Sequence, residues 1–399
     1  MKRQATLALA LALTGCGPLP MVKSDSSSDL PVRSLDEQWL ARFDQGDRLF
    51  DLPFREADGL GPLYIRHACS SCHAGAARGP GTVLRMVQFE ADGVTPTVGQ
   101  PALPYGSVVR PFATGAATPL TAPVRADVHV QTRAGIPVMG RGWLEAIEDA
   151  ELERVAAEQA QRTDGVSGRI NHVVWRSEAN PDTRFHNHRP GDVVIGRFGL
   201  KARQPTLDDF AADALQGDMG LTSPMRPHEV PNAEGLLDDA KAGVDVTLEQ
   251  LNTLGDYVRL ISIPTRSQAG GQTAGRAQFE AAGCGTCHVP SLRTRSDYPI
   301  PQLAGVDAPV FTDLLLHDLG PTLADGITDG EASPSEWRTA PLIGVRFLTA
   351  FLHDGRTDDL ETAIRLHGAP GSEAAASVQA FDALTESDRA SLLDFVSNL

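Results

Sequence analysis

Cys69-Ser70-Ser71-Cys72-His73 and Cys284-Gly285-Thr286-Cys287-His288 are two copies of one pattern, Cys-x-x-Cys-His, in a 399-residue chain whose one other cysteine is Cys16. Two thiols on one helical turn can add across the two vinyl groups of a haem, and the imidazole that follows then lies where it can ligate the iron from the proximal side. A single zinc site built from all four thiols would leave both histidines unexplained and would have to bridge 211 intervening residues. A thioredoxin-like dithiol would use one Cys-x-x-Cys in a βαβ context and gives no reason for a second. The pattern predicts two covalently bound c-type haems, attached at Cys69, Cys72, Cys284 and Cys287 and ligated by His73 and His288.

Outward from the motifs, the hydrophobic spacing predicts a mainly α fold of two cytochrome c-like haem domains, the first with a β-containing insertion. DEQWLARFDQGDRLF from Asp36 has helical spacing, and GPLYIRHACSSCH is expected to continue as a short helix carrying the first motif. VLRMVQFEADG and VRADVHVQT alternate as strands do. Trp143 to Gln161 reads as one helix, and Thr247 to Ile261 as another, with Leu248, Leu251, Leu254, Val258 and Ile261 on one stripe. Pro264 and Gly270-Gly271 mark a boundary, after which GRAQFEAAGCGTCHVPSL again runs a helix into a haem motif. Thr385-Glu386-Ser387-Asp388 opens a terminal helix that should pack over the haem-bearing one. The expected divisions are 1–15, 16–35, 36–265 and 266–399.

The first of these reads as an address. Lys2 and Arg3 precede a short apolar stretch, Ala5 to Leu13, too short to span a bilayer, and Leu13-Thr14-Gly15-Cys16 follows. That sequence resembles a bacterial lipoprotein box, which implies cleavage before Cys16, its acylation, and a polar tether over 16–35. The resulting expectation is a periplasm-facing lipoprotein, anchored to the membrane by lipid. Gly17 after the cysteine, under enterobacterial sorting rules, favours the outer membrane over the inner. Composition is ordinary for a globular protein, 41% hydrophobic and 22% charged, while 38 Gly and 28 Pro point to long ordered loops. A net charge of −16 without any Lys/Arg-rich run argues against nucleic acid as a partner.

Several further segments carry a resemblance. Phe311 to Gly320, Glu336-Trp337-Arg338-Thr339 and FLHDGRTDDLETAIRLHG from Phe351 to Gly368 resemble the bacterial di-haem oxidoreductase family, often labelled thiol oxidoreductase. That family is related to di-haem cytochrome c peroxidases and to MauG-type enzymes that oxidise a partner protein. Gly165 to Asn171, Ile195 to Ala202 and Asp218-Met219-Gly220 extend the match over most of residues 40–399. The resemblance implies a peroxidase-like oxidoreductase that moves electrons between a donor or acceptor protein and a small oxidant such as hydrogen peroxide. One haem would have an open face; the other, ligated on both sides, would store or pass an electron. The alternative is a di-haem electron-transfer lipoprotein without substrate chemistry. The thiol label finds no support, because all four motif cysteines are consumed as thioethers.

The resemblance also implies ligands. Its relatives place a Met or Tyr ligand fourteen residues beyond the His of the shared HDG motif, and His353 plus fourteen is His367, which makes the second haem bis-histidine; the plainer reading is that His367 ends a helix at the Gly368 cap. His353 is expected to stabilise a tight turn, and His317 to be structural. For the first haem, the peroxidases carry a distal His sixteen residues after the motif, where this chain has Phe89; Met86, Met139, Met219 and Met225 are the alternative ligands, each with a core-filling reading beside it. Gln100 and Pro104 match a peroxide-site pattern whose Glu is replaced here by Arg110, so no catalytic acid or base is assigned. His186-Asn187-His188 reads as an exposed loop rather than a metal pair. The relatives also hold calcium between their haem domains, which implies Ca2+ here without identifying ligands.

Overall fold

A computed structural model describes residues 29–76, 81–237, 240–266 and 272–399. The address segment 1–15, Cys16, most of the tether and the Gly270-Gly271 boundary lie outside the described residues. Helices run in the order α1 Glu37–Phe50, α2 Arg141–Ala146, α3 Asp149–Gln159, α4 Leu207–Met219, α5 Leu248–Leu260, α6 Gln272–Ala281, α7 Leu360–Leu366, α8 Ala375–Asp382 and α9 Glu386–Ser397. The strands among the described residues form five two-stranded antiparallel sheets.

Two helix crossings repeat one design. The Asp36 carboxylate caps α1 by accepting from Trp39 N at 2.9 Å, and Thr247 with Gln250 forms a capping box for α5. α1 and α5 meet at Gly46, where a Cβ would stand 2.3 Å from Tyr257 Cβ, so only hydrogen allows the approach. α6 and α9 meet at Gly275, where a Cβ would stand 2.1 Å from the Ser391 carbonyl and 2.6 Å from Phe395 Cβ. In each pair a phenylalanine four residues after the glycine packs on the partner's aromatic ring: Phe50 on Tyr257 at 5.2 Å and Phe279 on Phe395 at 5.5 Å. The same phenylalanines lie against the two motif histidines, Phe50 6.2 Å from His73 and Phe279 6.5 Å from His288.

The main core gathers α1, α2, α4 and α5 and takes in Leu292, Tyr298, Ile300 and Leu303 from beyond the second motif. A separate cluster of Phe279, Phe311, Phe381, Leu392 and Phe395 lies under α6 and α9. The strand pattern is borne out by Thr82–Gln88, which pairs with Val128–Ala134 over Met86, Leu103, Val109 and Val128.

Two helices differ from expectation. The one expected over Trp143 to Gln161 is broken at Ile147, whose backbone is extended and bridges to Thr294, while Arg295 N donates to the Ala146 carbonyl. Tertiary pairing overrides local propensity there. The approach to the first motif is not helical either: Leu63–Tyr64 is a strand paired with Phe112–Ala113, Tyr64 stacks on Phe112, and Ile65 N and Arg66 N donate to the Asp218 carbonyl. A 3-10 turn begins only at Cys69. The end of the expected tether belongs to the folded body, since Val32 is buried and donates to the Leu260 carbonyl.

Candidate haem sites

Each motif occupies a 3-10 turn, Cys69–Ser71 and Cys284–Thr286, and none of the four cysteines is disulfide-bonded. Burial pushes the Cys69 thiol up to about 12 and the Cys284 thiol up to about 11, so neither is a thiolate nucleophile at neutral pH. The two pairs sit beside different phenylalanine crossings and form no four-thiol cluster among the described residues.

The first pair opens on a pocket lined by Cys69, Cys72, His73, the Leu207 to Met219 face of α4, Leu254 and Val258 of α5, and Arg66, Arg141 and Asp218. Burial pushes His73 down to about 4, which keeps its imidazole neutral, as an iron ligand must be. The walls are mostly apolar, two thiols and an imidazole share one edge, and Arg141 Nη1 is buried without a hydrogen-bond partner. A porphyrin with thioether links and acidic side chains fits this lining. Of the four methionines weighed as ligands, Met219 lines the cavity; Met86 fills the strand-pair core, Met139 packs on Gly344, and Met225 lies in the main core. Gln100 is bonded to Gln88 and Thr97 within the β insertion, and Arg110 Nε donates to the Gly217 carbonyl. A carboxyl quoted in the sequence without a site role, Asp218, joins this wall, pushed up to about 6 by burial and by Asp213. Its signal, an acid at the end of an amphipathic helix, is not distinctive in a sequence.

At the second motif His288 Nδ1 donates to the Phe311 carbonyl at 3.1 Å, which leaves Nε2 for iron. His367 is the C-cap residue of α7, and its Nδ1 donates to the Ala363 carbonyl at 2.8 Å, again leaving Nε2. The helix-ending reading of His367 is the one this geometry shows. Burial and then His367 itself push His288 down to about 4, so the two imidazoles are close enough to feel one another. His317 is a structural cation: Nε2 donates to Asp313 at 2.9 Å and Nδ1 to Glu373 at 2.8 Å, with Cys287 Sγ 3.7 Å away. Burial opposes its charge, but Asp313 outweighs burial and holds it well above the usual histidine range.

His353 stacks on Trp337 at 3.8 Å, and its Nε2 lies 3.8 Å from the Asp354 carboxylate of its own turn. The His186 side chain is buried, pairs with Asp208 at 2.8 Å, stacks on His188 and packs at a tilt against Trp175, which corrects the exposed-loop reading. At the seam between early and late segments, the Ser333, Pro334 and Glu336 carbonyls surround the Lys201 ammonium at 2.7, 3.0 and 2.7 Å. A cation already fills this carbonyl cage.

With this geometry in view, residues 110–399 match the family model described as "Di-haem oxidoreductase, putative peroxidase". The chain belongs to the di-haem oxidoreductase family. No curated protein sequence matches it. Among solved structures, the diheme peroxidase BthA of Burkholderia thailandensis is 14% identical, with 95% of this chain and 89% of that one covered and a TM-score of 0.42. Hydrazine synthase of Kuenenia stuttgartiensis is 13% identical, with 99% and 100% covered and a TM-score of 0.36.

Proposed function

We propose that the protein is a di-haem c-type oxidoreductase of the peroxidase type, built as two cytochrome c-like modules. The observation that carries this reading is the repeated unit: a Gly-x-x-x-Phe helix crossing set against a Cys-x-x-Cys-His turn, found at Gly46, Phe50 and His73 and again at Gly275, Phe279 and His288. Cys69 and Cys72 would hold one haem and Cys284 and Cys287 the other. His73 and His288 would ligate the two irons, and His367 would be a further ligand at the second haem. Bound there, the two haems would supply one-electron chemistry toward a small oxidant such as hydrogen peroxide. The chain's own contribution is to keep the ligating imidazoles neutral, to orient His288 and His367 through backbone carbonyls and to wall the first site with apolar side chains. Its partners are a redox protein and the oxidant, and its place is the periplasmic side of a membrane, held by lipid on Cys16.

One observation favours the second reading, a six-coordinate electron carrier: Met219 lines the first cavity, and a thioether there would close the iron. The visible spectrum of the ferric holoprotein, before and after peroxide, separates the two. A high-spin component lost on adding peroxide is the expected result. Two low-spin haems, unreactive even after one-electron reduction, would give the carrier reading first place.

A further inference from the structure

Arg141 begins α2 with its side chain buried and lines the first cavity beside Cys69, Cys72 and His73. Its Nε donates to the Pro137 carbonyl at 2.7 Å, while Nη1 is buried without a partner. Close by is a second buried guanidinium, Arg338, whose Nε and Nη1 donate to the Gly199 and Thr339 carbonyls at 2.9 and 3.0 Å. Among the described residues neither has a carboxylate within ion-pair distance. Burial pulls Arg141 down to about 9, and the positive neighbour Arg338 adds to that effect. Two other buried guanidinium groups are matched by carboxylates: Arg259 meets Glu145 at 2.6 Å, and Arg133 meets Asp325 at 2.6 Å. An unmatched buried guanidinium pair is costly, so such a pair implies an anion that the polypeptide does not provide.

We propose that Arg141, backed by Arg338, is the site that binds a propionate carboxylate of the first haem. The inference rests on the di-haem reading, because the thioether links at Cys69 and Cys72 bring the porphyrin into the cavity that Arg141 lines. A haem carries two carboxylates, and a guanidinium fork with free N–H groups matches one of them. Burial pulls Arg338 down to about 10, offset in part by Asp313, the carboxylate bonded to His317 beside Cys287.

The test compares wild type with Arg141→Leu as purified holoproteins. Haems are first counted by pyridine haemochrome; fewer than two thioether-linked haems in wild type would overturn the di-haem reading and the proposal with it. With two haems present, the resonance Raman propionate-bending band and the midpoint of the first haem are measured. In Arg141→Leu the band should move to lower frequency and the midpoint should fall, because an uncompensated carboxylate disfavours the reduced iron. Two haems with an unchanged band and midpoint would overturn the propionate site alone. Arg141→Gln, which keeps a donor for Pro137 but loses the charge, is read identically if the leucine variant does not accumulate.

Discussion

Gln159 Nε2 donates to Asp313 Oδ2 at 2.9 Å and to the Thr286 carbonyl at 3.0 Å, so a side chain from α3 holds the second Cys-x-x-Cys-His turn directly. Its Oε1 accepts from Gly168 N at 2.9 Å, so both ends of the buried amide are engaged. Asp313 passes the connection to His317, and His317 to Glu373, which in turn accepts from Ser167 N at 2.9 Å. The early and late parts of the chain are thereby locked through one polar network around the second motif.

Gln159→Leu is expected to leave the Asp313 carboxylate, the Thr286 carbonyl and the Gly168 amide short of partners. A loss of about 1–3 kcal/mol in unfolding free energy follows from burying such groups unpaired. Urea denaturation of the holoprotein measures it, and a change below about 0.5 kcal/mol would show that water or a neighbour replaces the amide.

His367→Ala should open the second haem and convert its low-spin ferric spectrum to high spin. His367→Met should keep it six-coordinate and raise its potential, as thioether ligation does. A low-spin spectrum retained in His367→Ala would return His367 to the helix-capping role that its Ala363 bond equally describes.

How much of this could be read beforehand follows from the range of the interactions. The motifs, the α9 cap at Thr385 and the strand alternation are local, and all were legible. The repeated crossing, Gly46-x-x-x-Phe50 and Gly275-x-x-x-Phe279, was not legible, because the different spacings from those phenylalanines to their motifs hide it. Ile147 breaks a helix because Thr294 pairs with it from far along the chain, and no window around Ile147 contains that partner. Met219 and Arg141 become site residues only when α4 and α2 close on Cys69, whereas Met86 and Met139, equal candidates in the sequence, are carried elsewhere by the strand pair and by Gly344.

Acid stability should report on Asp47. Burial, with the neighbouring Asp29 carboxyl, pushes its carboxyl up from 3.8 to about 6. The folded state therefore holds this proton more tightly than the unfolded state, and the stabilisation present below pH 3.8 is lost as pH rises toward 6. Asp47→Asn carries no charge to penalise. Its stability relative to wild type should climb between about pH 4 and 6 and stay level above. Thermal melts across that range check it, and parallel pH profiles for the two proteins would contradict it.

The glycine crossings make separable demands on the two haem sites. Gly275→Ala would force a methyl to within 2.1 Å of the Ser391 carbonyl, and Gly46→Ala one to within 2.3 Å of Tyr257 Cβ, so each helix pair must spread. Overpacking of this kind costs about 1–3 kcal/mol. Because Phe279 and Phe50 follow their glycines onto His288 and His73 respectively, spreading α6 from α9 should disturb the second haem and spreading α1 from α5 the first. Magnetic circular dichroism resolves the two irons by spin state and axial ligation. Gly275→Ala should alter the bis-histidine component and leave the other unchanged, and Gly46→Ala should do the reverse. Equal disturbance of both components by either variant would mean that the crossings share one core and that the two modules do not respond independently.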